Sequence, residues 1–268
     1  MSTDALSALP GAPAQASAIG LYARATAGFD DRVAETVALL RQAAATGAAT
    51  QASSLGAEDM VITHLINTHA LPIGVFVLET GALHAETRAL LQRLQAQQAA
   101  HPHAPLTVYR PVGEAVVQFV AREGADAMYK SIALRKACCG IRKMEPLARA
   151  LAGKSAWITG LRREQSGARA EVPFIDDSDV PTKGLRKFNP LAAWSWADVW
   201  HYIAQHGVDF NPLHDRFMPS IGCAPCTRAI AVGEDFRAGR WWWEDEAAKE
   251  CGLHVKGAVE RSAISAER

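Results

Sequence analysis

Residues 50–60, Thr50-Gln51-Ala52-Ser53-Ser54-Leu55-Gly56-Ala57-Glu58-Asp59-Met60, decide the fold class. Residues 50–53 read as a short strand, 53–59 as a polar turn of small residues, and 60–67 as a helix. A strand that turns tightly into a helix offers unpaired backbone N–H groups and a positive dipole end, which suits phosphate or sulfate. The turn has no lysine and no full glycine-rich fingerprint, so alone it also reads as a plain connection.

The alternation extends in both directions. Val33, Val37, Leu40 and Ala44 mark an amphipathic helix from Asp30 that closes near Gly47. A buried strand over 73–78, a helix over 85–98 and a strand over 106–110 follow, then helices over 113–122 and 141–151 and a strand over 156–159. Strands separated by helices predict an α/β fold whose mainly parallel sheet is covered on both faces. In such a sheet ligands sit beyond the carboxyl ends of the strands, so the segments after residues 53, 78 and 159 should face one cleft. Glu79-Thr80-Gly81 occupies one of those ends, and His84 reads as a surface or helix-start histidine. Residues 161–188 are rich in Arg, Asp, Gly and Pro and read as a long functional loop. Ser195 and Asp198 give a capping-box-like start to a helix ending near 205. Residues 1–20, rich in Ala, Ser and Pro, read as a disordered arm, 21–240 as the main domain and 241–268 as a C-terminal tail.

Lys plus Arg and Asp plus Glu balance at 28 each in 268 residues, which removes any global electrostatic case for a nucleic-acid or membrane surface. No apolar run is long enough to span a membrane and the start lacks the pattern of a secretory signal, so a cytoplasmic protein is expected. In that compartment the five cysteines point to metal binding or catalysis rather than disulfides.

Those cysteines divide into an adjacent pair, Cys138 and Cys139, a Cys223-Ala224-Pro225-Cys226 motif, and a solitary Cys251 between Lys249 and His254. Four thiolates from the two pairs can converge on one inorganic centre. The cations Arg135, Lys136, Arg142 and Lys143 around the adjacent pair suit the negative charge of a 4Fe-4S cluster and an anionic substrate. A structural four-cysteine zinc site and unligated core cysteines are the alternatives, although adjacent ligands are awkward for a tetrahedral ion. Lys249 and His254 favour a thiolate at Cys251, and Gly252 loosens the chain there, which fits a nucleophile on a swinging tail as well as an incidental cysteine. Arg162 and Arg163 follow a strand's carboxyl end, where guanidinium forks suit an anion or simply a solvated loop. Arg237 and Arg240 precede Trp241-Trp242-Trp243, three indoles that one strand face cannot bury together.

In order along the chain, SSLGAEDM from Ser53, LETGALHAET from Leu78, CCGIRKMEPL from Cys138, WITGLRREQS from Trp157, KFNPLAAWSWADVW from Lys187, GCAPCTRAI from Gly222, RAGRWWWE from Arg237 and KECGLH from Lys249 resemble the assimilatory adenylyl-sulfate reductases. These form the iron-sulfur branch of the phosphoadenylyl-sulfate reductase family. The resemblance covers residues 47–254 and implies an adenine-nucleotide-hydrolase-like fold with a modified pyrophosphate loop. It implies a cytoplasmic homo-oligomer that reduces adenosine 5'-phosphosulfate to sulfite and AMP for cysteine biosynthesis, with thioredoxin or a glutaredoxin-like protein as reductant. By the same resemblance Cys138, Cys139, Cys223 and Cys226 hold a 4Fe-4S cluster, and Cys251 is the nucleophile. Lys143 matches the basic residue linking cluster and substrate. Arg162 or Arg163, Arg237, Arg240 and His254 match anion-binding positions, and Ser53, Ser54, Gly56 and Glu58 the nucleotide loop. Glu79 and Leu161 depart from residues common in relatives, away from the reaction centre. A phosphoadenylyl-sulfate reductase, a tRNA-thiolating enzyme and a zinc-binding interaction module are the rival readings.

Overall fold

A computed structural model describes residues 17–244. The expectations at Cys251 and His254, and for most of the arm and tail, lie outside the described residues. The sheet has six strands: β1 (Ala49–Ser53), β2 (Gly74–Leu78), β3 (Leu106–Tyr109), β4 (Ala156–Ile158), β5 (Ile175–Asp176) and β6 (Arg186–Phe188), in spatial order β3-β2-β1-β4-β6-β5. Every pairing is parallel except that of the short edge strand β5 with β6. The chain winds outward from β1 to β3 and then returns to the other side of β1 as β4. That reversal opens a crevice at the carboxyl ends of β1 and β4, the place where ligands bind in open α/β sheets.

The helices in chain order are α1 (Ala18–Tyr22), α2 (Phe29–Ala44), α3 (Ala57–Thr68), α4 (Ala85–Gln98), α5 (Gly113–Glu123), α6 (Ala127–Lys130), α7 (Ile132–Cys139), α8 (Glu145–Leu151), α9 (Val180–Lys183) and α10 (Trp196–His206). Successive strand residues point to opposite faces. On β2, Val77 joins the large core built with α2, α3, α4 and α10, while Phe76 joins a smaller core with Leu147 and Ala150 of α8 and Trp157 of β4. The burial of both faces is what the continuous apolar run of β2 requires. Asp198 and Ser195 form a reciprocal capping box at the start of α10. The same carboxylate accepts from the Thr26 amide at 3.0 Å and hydroxyl at 2.9 Å, tying the chain ahead of α2 to α10.

Three expectations need correction. Residues 18–20, expected within the disordered arm, belong to α1: Ser17 caps it, and the buried Ala18 donates its amide to Asp215 Oδ1 at 2.7 Å. Residues 161–188 are not one loop, because they hold two short 3-10 turns, β5, α9 and β6; strands of two or three residues are too short to show a period. The helix expected over 141–151 instead continues α7 through a π-helical turn, Gly140–Met144, into α8. Removing the α10 cap with Ser195→Ala should cost about 1 kcal/mol. Calorimetry should then show a melting midpoint lower by about 2–4 °C, and an unchanged midpoint contradicts the assigned cap.

Candidate active site

The turn from β1 into α3 is tighter than a plain connection needs. Leu55 adopts φ 63°, a left-handed conformation that a leucine holds only when its surroundings fix it. Its side chain is fully buried, and its amide donates to Ser53 Oγ at 3.2 Å. The Ser54 amide and hydroxyl both donate to Asp59 Oδ2, at 2.7 and 2.6 Å. The Gly160 amide, after β4, hydrogen-bonds the same carboxylate. A Cβ on Gly160 would lie 2.5 Å from Asp59 Oδ1, so glycine is needed for the approach. Burial pushes the Asp59 carboxyl up to about 6, against the pull of the Ser54 donors, with Glu58 beside it pushing the same way.

This turn forms one wall of a cleft at the carboxyl ends of β1, β2 and β4. Ser53, Ser54, Gly56 and Glu58 line it, and so do Lys143, Arg237 and Arg240 from later parts of the chain and Arg169 from the segment after β4. Of the residues expected at the site, Ser53, Ser54, Gly56, Glu58, Lys143, Arg237 and Arg240 line this one cleft. Arg162 and Arg163 do not line the cleft. The fully buried Arg162 donates to Glu58 Oε1 at 2.9 Å and Glu164 Oε2 at 2.7 Å, and its guanidinium lies between Trp196 and Phe236, 5.2 and 5.5 Å from their ring centroids. Arg163 is exposed and donates to the Val172 carbonyl at 3.0 Å. A buried guanidinium needs an anionic partner inside the protein, and Glu58 supplies it. Glu58 also accepts from Gln165 Nε2 at 3.0 Å, so its carboxylate serves mainly to hold the segment after β4 against α3. Arg169, donating to Gln165 Oε1 at 2.6 Å, is the arginine of that segment that reaches the cleft. Its only sequence signal was membership of an arginine-rich stretch.

None of the four described cysteines forms a disulfide. Cys138, Cys223 and Cys226 are buried in one apolar cluster with Phe119, Met128 and Trp241, and Cys139 adjoins it half-buried. The π-helical turn after α7 presents Arg142 and Lys143 beside this cluster, and an isolated bridge between Leu83 and Cys223 docks the Cys223–Cys226 turn onto the segment after β2. Burial would raise the Cys223 thiol, yet Lys143, the Thr80 hydroxyl at 3.3 Å, Arg240 and Arg142 together hold it below the ordinary thiol value. Burial pushes Cys226 up to about 11, with Cys223 adding to the rise, and raises Cys138 as well, against the pull of Arg142. Trp241 is buried between the guanidinium groups of Arg135 and Arg240, 4.6 and 4.7 Å from its ring, whereas Trp242 is exposed and Trp243 packs on Tyr129. Gly222 leaves room for Arg240: a Cβ there would sit 2.3 Å from Nη2. Among the described residues, no three His, Cys, Asp or Glu side chains form a ready site for a single metal ion.

Residues 48–229 match the model of the phosphoadenosine phosphosulfate reductase domain, more than half of the chain. The chain belongs to this family. It is 53% identical over 203 residues to the adenosine 5'-phosphosulfate reductase of Allochromatium vinosum, covering 76% of this chain and 77% of that protein. It is 52% identical over 204 residues to the Burkholderia cepacia protein of the same name, covering 76% and 79%, and 46% identical over 221 residues to that of Agrobacterium fabrum, covering 82% of each. A solved family member, the phosphoadenylyl-sulfate reductase of Candida auris in a phosphate complex, superposes with a TM-score of 0.58 at 25% identity, over 75% of this chain and 98% of that one. The FMN adenylyltransferase of Candida glabrata shares the fold alone, at a TM-score of 0.51 and 12% identity over 87% of this chain and 82% of that one.

Asp59 gives the site a pH signature. Its carboxyl rises from an ordinary 3.8 to about 6 on folding, so the native state holds the proton more tightly. The associated stability is present below about 4 and is lost as pH rises through 6. The stability of the wild type relative to Asp59→Asn should therefore fall by up to about 3 kcal/mol between pH 4 and 7, measured by denaturant unfolding. A difference that stays flat over that range contradicts the burial of this carboxyl.

Proposed function

We propose that the protein reduces adenosine 5'-phosphosulfate to sulfite and AMP in assimilatory sulfate reduction. One observation carries the reading: Lys143 and Arg240 line the nucleotide-facing cleft and also act on the Cys223 thiol, so one pair of cations serves both the cleft and the cysteine cluster. The family and the names of the relatives support the same activity. Those relatives are named for the reduction of this nucleotide, and the solved relative from Candida auris is a phosphate complex.

The nucleotide would lie across the carboxyl ends of β1 and β4, its phosphate over the Ser53–Gly56 turn and the amino end of α3. Lys143, Arg237 and Arg240 would then face the sulfuryl group. In the first step the Cys251 thiolate attacks the sulfur, an S–S bond forms, the S–O bond to phosphate breaks, and AMP departs with the electron pair. Attack by an anion on an anion is the obstacle. Each well-placed cation or donor that neutralises the sulfuryl oxygens is worth about 3–4 kcal/mol at the transition state. A thioredoxin thiolate next attacks Cys251 Sγ, releasing sulfite and leaving a mixed disulfide, which the second thioredoxin cysteine resolves. The two electrons come from the thioredoxin dithiol, which leaves as a disulfide. His254, near Cys251 in sequence, is placed by this reading among the anion-binding groups.

The all-thiol donor set, Cys138, Cys139, Cys223 and Cys226, fits a 4Fe-4S cluster. Three buried sulfur ligands in an apolar cluster and a fourth half-buried beside them, with Arg142, Lys143 and Arg240 acting on Cys223, suit a negatively charged cluster better than a hard cation. When bound, the cluster supplies fixed negative charge that holds those cations in register beside the substrate, while the redox equivalents pass through thiols. A cytoplasmic homo-oligomer using thioredoxin or a glutaredoxin-like donor completes the reading. Among the described residues no helix is long and apolar enough to cross a membrane, and the chain carries no net positive charge that would favour RNA.

Sulfite release from adenosine 5'-phosphosulfate with thioredoxin should fall by at least about a thousandfold in Cys251→Ser, and turnover of the 3'-phosphorylated nucleotide should be slower. Wild-type activity in Cys251→Ser overturns the nucleophile. Iron and acid-labile sulfide on anaerobically purified protein should each approach four per chain, as a 4Fe-4S centre requires. Zinc in their place contradicts the cluster.

A further inference from the structure

The amino end of α3 lacks its own cap. Gly56 occupies the N-cap position and has no side chain to accept from the first turn. One of the orphan donors, the Ala57 amide, is satisfied from far away in sequence: it donates to His214 Nε2 at 3.2 Å. Since a backbone N–H is the donor, Nε2 carries no proton and the imidazole proton belongs on Nδ1. Burial pushes the His214 imidazole down to about 4, against the pull of Glu58, the Met218 backbone and Asp215, so the ring stays neutral under ordinary conditions.

The ring is itself held rigidly. Trp196 and Trp200 pack edge-on against it at centroid distances of 5.7 and 5.4 Å. His214 lies in the 3-10 turn Pro212–Arg216, capped by Asn211, which accepts from the Leu213 amide at 3.1 Å. The buried Asn211 amide donates to Thr87 Oγ1 at 2.8 Å, and Thr87 lines the cleft from α4. The neighbouring Asp215 receives the Ala18 amide of α1. Two indoles of α10 therefore hold the imidazole itself, bonds from α4 and α1 hold its neighbours Asn211 and Asp215, and the unprotonated nitrogen meets the first amide of the nucleotide-facing helix.

We propose that His214 is a positioning residue: its unprotonated Nε2 caps α3 in place of Gly56 and so fixes the strained Ser53–Gly56 turn in the form that receives the nucleotide. Gly56 lets ligand approach the turn closely, and His214 supplies from behind the acceptor that a Ser or Asp cap would have placed in the ligand's path. The residue touches no substrate and takes no part in proton or sulfuryl transfer. Its effect falls on the geometry of the turn, and therefore on binding rather than on the chemical step.

The inference rests on the reading of the cleft as an adenosine 5'-phosphosulfate site. Two substitutions separate capping from packing. His214→Phe keeps the aromatic contacts with Trp196 and Trp200 and removes the acceptor, whereas His214→Gln keeps an acceptor near the Nε2 position and removes the ring. The proposal predicts that KM for adenosine 5'-phosphosulfate rises about five- to tenfold in His214→Phe, as for one lost hydrogen bond, with kcat unchanged. It predicts that KM in His214→Gln stays within about twofold of wild type although its melting point falls. Calorimetric titration with AMP should show the same order of affinities. Equal KM in all three proteins, or a loss of kcat in His214→Phe at unchanged KM, overturns the proposal. A KM in His214→Gln as high as in His214→Phe also overturns it, and this variant decides the matter if the phenylalanine protein does not fold. Wild-type protein that turns over no adenosine 5'-phosphosulfate overturns the functional reading and this proposal with it; wild-type turnover with unaltered KM in both variants overturns the proposal alone.

Discussion

The carboxylate of Asp59 is the interaction on which the cleft depends. It is buried, and it gathers the Ser54 amide, the Ser54 hydroxyl and the Gly160 amide, joining the turn after β1 to the segment after β4. These two strands flank the reversal of winding order in the sheet, so the carboxylate staples together the two lips of the crevice. Burying it is unfavourable, as the upward displacement of its carboxyl to about 6 records. The surrounding structure tolerates that cost, and the left-handed Leu55 beside it, because both hold the turn open toward ligand.

A second layer of charge keeps this arrangement in place. Glu58 and Arg162 form a fully buried pair extended by Gln165 and Arg169, which locks the segment after β4 onto α3. Cleaving such a pair by removing one partner is far more damaging than replacing both, since the survivor is left charged in an apolar site. Lys143 and Arg240, which also line the cleft, act instead on the Cys223 thiol. Buried carboxylates therefore shape one part of the cleft, while Lys143, Arg237 and Arg240 bring positive charge to it. The division explains how a chain with no net charge can still offer an anion site.

Much of this arrangement is legible in the sequence. The four strands β1 to β4 are legible between helical periods, β2 most plainly through its apolar run, and Ser195 with Asp198 marks the start of α10 before any coordinate is known. The eight motifs carry the family, and the paired cysteines with their flanking cations mark one neighbourhood of the cleft. What the sequence conceals is direction and burial. Arg162 and Arg163 show their charge but not that one is enclosed by Glu58 and the other turned to solvent. The strands β5 and β6 are too short to establish a period, and α1 depends on a contact from Ala18 to Asp215 across 197 residues of sequence. His214 is a single histidine in a polar turn, and nothing local signals that it meets Ala57. Long-range pairings of this kind are decided by tertiary packing, which a local pattern does not encode.

The central claim is that a sulfuryl group pinned in this cleft passes to a cysteine before any reductant acts. Intact-mass spectrometry of the protein incubated with adenosine 5'-phosphosulfate in the absence of thioredoxin tests it most directly. One added sulfonate per chain, mapped to Cys251 and discharged as sulfite when thioredoxin is supplied, is the result the account predicts. A chain whose mass is unchanged while AMP and sulfite accumulate once reductant is added would contradict it.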